Sequence, residues 1–388
     1  MKNLPCYNPA FMMAFFFCGL ILIGCKRPYD PEIIAPKDHF LVVEGLLTSG
    51  SLTTINLSRT RPIKSSRLSD TIKPELNALV NIESENKKSE VFSEVGGGNY
   101  TIQINLNKSE KYRLRIKTAN GKEYLSDFVP VTNSPPIDSI SWKLVESGLQ
   151  IYVNTHDPQN KTRYYRWGFE ETWAGASIIP ASNIEYINGS FVRRKVPTPS
   201  GICYTTRKEN PFLLASTIKL TDDVVYMSPV NHILNGSIKL ASKYSILVKQ
   251  YALEKKAYEY WMAIKKNTEQ LGSISDPQPS YLYGNIYSIT DPRERVIGYF
   301  GAYNAAEKRI FITSSEAKWF KTSQCEVFEE KNLNPDTLAV HFGRFPPALA
   351  REPLDEIYNG FGTLIAYTAV NNGCLNCNGT FTKPAFWK

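Results

Sequence analysis

Apolar and polar residues alternate along much of the chain between residues 39 and 131. The alternation is clearest in GNYTIQINL, where one side of the segment carries Tyr100, Ile102, Ile104 and Leu106. A period of two is typical of strands with one buried face. Turn-forming residues separate such runs at Gly96–Asn99 and Asn120-Gly121, and an Asn-Gly pair favours a tight hairpin turn. The pattern predicts a small, immunoglobulin-like β-sandwich over residues 39–131.

A second, larger region is predicted over residues 137–388, after a short proline-rich connection. Strand-like alternation resumes there, with Tyr165, Trp167 and Phe169 on one side. The segment KYSILVKQYAL is apolar on both sides, which predicts a strand buried on both faces. Later strands are predicted at RIFIT and LAVHF, whereas the weak periodicity between Trp173 and Pro211 predicts long loops or an insertion.

One segment of this second region has a helical period instead. In EKKAYEYWMAIKKNTEQ and the residue that follows, the inner face is predicted to carry Ala257, Trp261, Ile264, Thr268 and Leu271. This predicts an amphipathic helix near residues 254–271 with Trp261 in the core. The expected fold class is therefore mainly β, with two β-sandwich-like domains, the second larger and carrying one amphipathic helix.

The first 24 residues have the pattern of a lipoprotein signal peptide. Lys2 precedes thirteen apolar or small residues, Phe11–Ile23, which are too few to cross a bilayer as a helix. Leu22-Ile23-Gly24-Cys25 resembles the bacterial lipobox, so we expect cleavage between Gly24 and Cys25 and acylation of the Cys25 thiol. Several acyl chains hold a protein stably at a membrane. Residues 25–38 then read as a lipid-anchored tether.

Charge and cysteine content narrow the remaining possibilities. The formal net charge is +8, but the basic residues are dispersed, so nucleic-acid binding is not expected. Four cysteines lie beyond the leader, and an even number in an exported chain favours disulfide bonds. A single CxxC in an Asn/Gly-rich loop disfavours both a redox site and a four-thiolate zinc site. We expect Cys325 to bond with one of the CxxC cysteines and Cys203 with the other; the candidates are Cys203, Cys325, Cys374 and Cys377.

The sequence carries no recognised catalytic motif and implies no cofactor or metal. Glu170 and Glu171 are adjacent, but neighbours on a strand point to opposite faces, so they are not expected to act as the paired carboxylates of a glycoside hydrolase. Tyr164 and Trp173 are candidate binding residues for a glycan or peptide, although aromatic residues in strands are mostly core residues. We expect no enzymatic activity.

Several strings in a fixed order resemble one protein family. They are the lipobox, CKRPYDPEI with FLVVEGLLT, LSRT, FEETW, KYSILVKQYAL, KKNTEQLGSISDPQPS, GNIYS and a closing KPAFW. Their order is similar to that of the Bacteroidota lipoprotein family DUF4249, a domain of unknown function, over nearly the whole mature chain. The resemblance implies an outer-membrane lipoprotein whose gene often lies beside that of a TonB-dependent receptor. It supplies no catalytic residues, and it leaves open whether the protein faces the periplasm or the cell surface.

These observations favour a non-enzymatic envelope lipoprotein that acts as an accessory or binding component of a TonB-dependent outer-membrane transporter. One alternative is a structural or adhesive surface lipoprotein. The other is an envelope hydrolase of glycan or peptide, with its site in the loops between residues 170 and 211.

Overall fold

Strands make up 52% and helices 8% of the residues that the structure describes, so the predicted mainly β fold class is confirmed. The computed structural model describes residues 39–60, 73–175, 178–269, 283–319, 326–343, 351–371 and 374–388. All of them except His39 belong to one compact unit formed by residues 40–60 and 71–388, and the following description concerns that unit. Cys25, Gly24, the leader and the tether lie outside the described residues.

The first eleven strands follow one another over residues 41–133. Their bounds are β1 Leu41–Glu44, β2 Leu47–Thr48, β3 Leu52–Arg59, β4 Lys73–Pro74, β5 Leu79–Ser84, β6 Ser89–Val91, β7 Ser93–Gly96, β8 Asn99–Gln103, β9 Lys111–Lys117, β10 Glu123–Ser126 and β11 Val129–Asn133. The predicted hairpin at the glycine triplet is confirmed between β7 and β8, where Gly98 has a φ of +76°. A Cβ there would lie 2.3 Å from the carbonyl oxygen of Leu57, so only glycine fits.

The later elements include longer strands and two α-helices within the described ranges. The strands are β12 Ile137–Val145, β13 Gly148–His156, β14 Tyr164–Ala174, β15 Ile184–Ile187, β16 Ser190–Arg193, β17 Tyr204–Ser216, β18 Val224–Leu234, β19 Lys243–Ala252, β20 Ile286–Ser288, β21 Val296–Gly298, β22 Ala302–Asn304, β23 Ala306–Thr313, β24 Phe328–Glu330, β25 Arg351–Tyr358 and β26 Leu364–Asn371. The helices are α1 Lys255–Glu269 and α2 Pro335–Phe342, and a short 3₁₀ turn spans Ile238–Leu240.

Two sheets share the first hydrophobic core. One has the order β21-β1-β3-β8-β7 with β4 beside β3, and the other has the order β2-β22-β11-β9-β10-β20 with β5 and β6 joined to β9. Leu57 and Tyr100 of the first sheet and Leu114 and Tyr124 of the second are buried in this core. The chain thus forms a two-sheet sandwich here, as the alternation predicted.

Three strands of this first sandwich come from the predicted second region. β21 pairs in parallel with β1, β22 pairs in parallel with β11 and β2, and β20 pairs antiparallel with β10. Residues 286–304 therefore complete the sheets of the first region, although the prediction assigned them to residues 137–388. Parallel pairing needs a long crossover connection, and the alternation of a short strand says nothing about such a distant partner.

A second sandwich contains the sheets β12-β13-β18 and β17-β14-β19-β23. Its core includes Ile151 and Val153 of the first sheet and Tyr165, Trp167 and Ile246 of the second. The predicted strand over KYSILVKQYAL is confirmed as β19, whose residues are buried on both sides. A smaller unit of β15-β16, β24-β26-β25 and α2 packs around its own apolar cluster.

One prediction of local structure is wrong. LAVHF is not a strand but the end of α2, which begins after Asn334; the Asn334 side chain accepts a hydrogen bond from the backbone N–H of Asp336, and Pro335 occupies the first turn. Such a cap and a proline start a helix, and they decide the structure of a short apolar run. The segment between Trp173 and Pro211, which was predicted to be long loops or an insertion, contains the hairpin β15–β16 and the start of β17, with irregular stretches between them.

Candidate ligand-binding cavity

A cavity of about 700 Å³ lies where α1 meets strands of both sandwiches. Strands β1 to β3 line one part of it, β14, β17 and β19 line another, and α1 contributes its inner face. The side chains used below are Glu44, Arg166, Phe169, Glu170, Lys208, Phe212, Lys249, Tyr251, Tyr260, Trp261 and Ile264. About half of the lining residues are aromatic or aliphatic, and the others are polar or charged. Small-molecule sites likewise combine apolar walls with placed polar groups.

The alternation of β14 presents Arg166 to this cavity. Its neighbours Tyr165 and Trp167 enter the core of the second sandwich, where their rings stack with centroids 5.7 Å apart. Because successive strand residues point to opposite faces, Arg166 faces α1 instead. The Arg166 guanidinium lies 3.9 Å from the centroid of the Trp261 ring, which places the charge on an aromatic face, where it is attracted by the ring.

The predicted helix is confirmed as α1, and its inner face holds this stack in place. Ala257, Tyr260 and Trp261 are buried together with Tyr251 and Tyr303 in one aromatic cluster. Trp261 therefore belongs to the core, as predicted. It also lines the cavity, which the helical pattern by itself does not indicate.

Arg166 is buried without an anion. The residue is 6% exposed, its Nη1 is buried without a hydrogen-bond partner, and no carboxylate partner for the guanidinium occurs within the ranges that the structure describes. Desolvation by burial lowers the pKa of Arg166, and the opposing effects of Tyr303 and Tyr251 do not offset it. A buried cation that lacks a partner is destabilising. The attraction between the guanidinium and the indole ring is of the order of 2 kcal/mol, and it compensates for only part of this cost.

A second donor beside Arg166 also lacks a partner. The Nε1–H of Trp261 is buried and makes no hydrogen bond to any described residue. Leaving such a group unpaired costs about 1–3 kcal/mol. Buried polar groups in native proteins are nearly always paired with protein or water. Two unpaired donors on touching side chains of one cavity are therefore a local exception.

The other charged groups of the lining are mostly paired. Glu170 accepts a hydrogen bond from Arg309 at 3.1 Å, and Lys208 lies 3.9 Å from the same carboxylate. Lys249 forms an ion pair with Glu307 at 2.9 Å. Lys208 and Lys249 therefore each lie near a carboxylate, whereas Arg166 has no carboxylate partner in the described part of the chain.

One carboxylate of the lining is also without an ion pair to a described residue. Glu44 is exposed on β1. Burial raises the pKa of Tyr260 to about 12, and the negative charge of Glu44 contributes to this increase. Glu44 therefore gives one part of the cavity a negative potential, whereas Arg166 makes another part positive.

The predicted binding residues Tyr164 and Trp173 do not meet. They lie at opposite ends of β14. The Tyr164 ring packs 4.8 Å from that of Tyr258, whereas Trp173 is buried in the second core between Arg207 and Lys239. The structure brings neither of them into the cavity lining.

The two adjacent carboxylates also have separate partners, as expected for neighbours on a strand. Glu171 is buried on the other side of β14 from Glu170; it accepts a hydrogen bond from the Tyr244 hydroxyl at 3.0 Å and forms an ion pair with Lys239. Glu170 lines the cavity and pairs with Arg309. The pair does not form one two-carboxylate site.

The cysteines form structural cross-links. Cys203 is bonded to Cys377, so the CxxC pair does supply a partner to Cys203. Cys374 is also disulfide-bonded, and Cys325 lies outside the described residues.

In the described ranges no group of three or more His, Cys, Asp or Glu side chains is arranged to hold a metal ion. No helix among the described residues is both long and apolar enough to span a bilayer.

The chain is thus a mainly β protein with an aromatic cavity and a buried arginine. It belongs to the family described as Domain of unknown function (DUF4249), which matches residues 26–309. The match is shorter than the resemblance over nearly the whole mature chain that the sequence suggested, and β24, β25 and β26 lie beyond it.

No curated protein matches this chain. A similar solved structure is described as "Crystal structure of Putative membrane anchored protein from Corynebacterium diphtheriae". It has 10% sequence identity and a TM-score of 0.16, and the alignment covers 55% of this chain and 54% of that chain. The chain thus spans about half of that protein, and a likeness at this level carries no argument.

Arg166 is the residue that sequence reasoning missed. The string YYRWGF places an arginine between two aromatic residues that both enter the core. The sequence shows this arginine between two core residues, whereas the covering of its own side of the strand, which makes it a buried cation, is seen only in the structure. The absence of a carboxylate partner depends on the packing of α1 against β14, which no local pattern contains.

Proposed function

We propose that this chain is a non-enzymatic envelope lipoprotein, anchored in the outer membrane through Cys25, that binds a ligand as an accessory component of a TonB-dependent transporter. One observation carries the binding role: a cavity of about 700 Å³ holds the buried Arg166, which has no carboxylate partner among the described residues. Such a volume is typical of small-molecule sites. The lipobox pattern at Gly24-Cys25 supports the membrane anchor, and the family resemblance supports the transporter as a partner.

The arrangement of carboxylates favours binding over hydrolysis. A glycoside hydrolase needs two carboxyl groups facing one bond of the substrate. Glu170 is held by Arg309, and Glu171 is held on the opposite face by Tyr244 and Lys239. Both acids have structural partners, so neither is poised to transfer a proton to a ligand in the cavity.

The accessory role is tested by affinity purification of the tagged full-length protein from detergent-solubilised membranes of the producing bacterium. We expect a β-barrel transporter to co-purify. Metabolic labelling with a tagged fatty acid should mark the wild-type chain, and the Cys25→Ser chain should lose both the label and the transporter. Repeated recovery of labelled protein without any barrel receptor would contradict the proposal.

A further inference from the structure

We propose that the cavity binds a carboxylate ligand with an apolar or aromatic body, and that Arg166 and the Nε1–H of Trp261 are its anion-binding donors. This inference rests on the proposed binding function and names the chemical class of the ligand. Four properties of the cavity point to it: a cation without a partner, a second unpaired donor, an apolar part of the lining and a nearby acid.

The first property is the state of the Arg166 guanidinium. Arg166 is 6% exposed, and its Nη1 is buried without a hydrogen-bond partner among the described residues. A guanidinium presents a planar fork of donors that matches a carboxylate in two parallel hydrogen bonds. The centroid of the Trp261 ring lies 3.9 Å from the guanidinium carbon, so the ring covers one face of the guanidinium plane. The N–H donors within that plane are left to bind an anion.

The second property is the unpaired Trp261 Nε1–H. It belongs to the ring on which Arg166 stacks, and both residues line the cavity. A carboxylate has two oxygens with about four acceptor positions. It can therefore accept from the guanidinium and still accept a further hydrogen bond, whereas a neutral carbonyl gains less from the cation. One carboxylate group would thus remove both exceptions to hydrogen-bond pairing.

The apolar part of the lining determines the rest of the ligand. Phe169, Phe212, Tyr251, Tyr260 and Ile264 line the same cavity as Arg166. The Phe212 and Tyr260 rings lie 6.2 Å and 5.2 Å from the Trp261 ring, centroid to centroid. Burying aliphatic or aromatic groups against these side chains gives roughly 25 cal/mol per Å² of apolar surface. A small inorganic anion would gain nothing from this surface.

The acids of the lining limit the charge of the ligand. Glu44 is exposed in the cavity and has no ion pair with a described residue, and Glu170 adds a second carboxylate whose charge is balanced by Arg309. A polyanion would be repelled by Glu44 while it paired with Arg166. One negative charge fits better, because like charges in partly desolvated sites cost free energy.

The test uses the lipidated full-length chain in lipid nanodiscs and isothermal titration calorimetry, with protein-free nanodiscs as the blank. Two matched pairs of probes separate charge from shape: N-acetylphenylalanine with its amide, and 4-phenylbutyrate with its amide. Inorganic phosphate is the probe for a bare anion. We expect each acid to bind roughly 10- to 100-fold more tightly than its amide, because hydrogen bonds to a charged group are the stronger ones. Phosphate should not bind measurably.

Three variants test whether the Arg166 guanidinium and the Trp261 Nε1–H cause the preference for acids over amides. Arg166→Gln should abolish the preference for the acids, and Arg166→Lys should weaken it because an ammonium lacks the planar fork. Trp261→Phe keeps an aromatic ring but removes the Nε1–H, and we expect a loss of roughly threefold to tenfold in affinity for the acids. The matched control is Arg193→Gln, which removes the same charge from a side chain that is 70% exposed and outside the cavity. It should bind like the wild type.

Circular dichroism confirms that each variant is folded before its binding is interpreted. Equal binding of acid and amide would overturn the choice of ligand class and leave the binding function standing. An unchanged acid preference in folded Arg166→Gln would overturn the role of Arg166. Failure of every probe to bind would also overturn the proposed ligand class. Co-purification of the transporter tests the proposed accessory function separately.

Discussion

Two arginines of this molecule, the partly buried Arg59 and the buried Arg166, have opposite environments. Arg59 of the first sandwich is 13% exposed along its side chain, and it pairs with Glu75 at 2.5 Å and with Glu294 at 3.2 Å. Arg166 of the second sandwich is 6% exposed and has no such partner among the described residues. Desolvation lowers the pKa of both, but the carboxylates and Tyr124 reverse this effect at Arg59, whose pKa is raised, whereas the pKa of Arg166 stays lowered.

The difference in partners distinguishes a structural cation, Arg59, from Arg166, the cation that we assign to ligand binding. Arg59 joins the end of β3 to Glu294, which lies just before β21, so it fastens a late segment of the chain to the first sandwich. Its charge is neutralised by the protein itself. Arg166 has an aromatic stack but no internal anion, and its neutralisation is left to another molecule. Sites that break a rule of stability in this way are often functional.

The largest expected effect is at Arg59. Replacing it in Arg59→Met leaves Glu75 and the 3%-exposed Glu294 without their common cation, and breaking a buried ion pair costs about 3–5 kcal/mol. We expect a decrease of that size in the free energy of unfolding, measured by urea denaturation. Arg115→Met is the control, since Arg115 also contacts two glutamates but is 38% exposed. It should lose less than about 1 kcal/mol. Equal losses in the two variants would contradict the structural role of Arg59.

Arg166 should respond in the opposite direction. Arg166→Met removes an unneutralised buried charge and keeps an apolar side chain over the Trp261 ring. Replacing buried charges by apolar groups is often neutral or stabilising by about 1–4 kcal/mol, so we expect a gain of about 1–2 kcal/mol in the same urea experiment. The acid probes should no longer bind. A loss of more than about 1 kcal/mol would show that the cation stabilises the fold, and the contrast with Arg59 would disappear.

The smallest expected effect is a dependence on pH. Burial pushes the pKa of Glu294 upward, but hydrogen bonds from Lys122, Tyr124 and Arg59 outweigh it, so the pKa lies below its ordinary value of 4.5. A lowered pKa in the folded state contributes stability above the unfolded value, and this contribution is lost as the pH falls through the folded pKa. We expect the free energy of unfolding to decrease below about pH 4.5, and to decrease less steeply in Glu294→Gln.

Arg166 provides the matching control for this pH experiment. Its guanidinium stays protonated over the acidic range, so Arg166→Met should keep the slope of the wild type between about pH 5 and about pH 3. This range brackets the ordinary glutamate pKa of 4.5. Parallel slopes for Glu294→Gln and the wild type would instead indicate that Glu294 does not contribute to the acid sensitivity.

Local patterns were sufficient for the class of fold and for most elements. The alternation in GNYTIQINL predicted β8, the apolar run KYSILVKQYAL predicted β19, and the helical period around Trp261 predicted α1. These patterns repeat over two to four residues, which is the range over which a strand or helix selects its own buried face. The apolar pattern of LAVHF predicted a strand, but the helix cap at Asn334 makes this short segment part of α2.

The amino-acid order by itself determined that the chain is rich in strands and has one longer amphipathic helix, and it predicts a lipoprotein-like leader. Only the tertiary structure placed β20, β21 and β22 in the first sandwich and set Trp261 against Arg166. The physical reason is the separation along the chain. Which face of a strand or helix is buried follows from residues a few positions apart, whereas the partner of a charged side chain depends on which distant segment packs beside it.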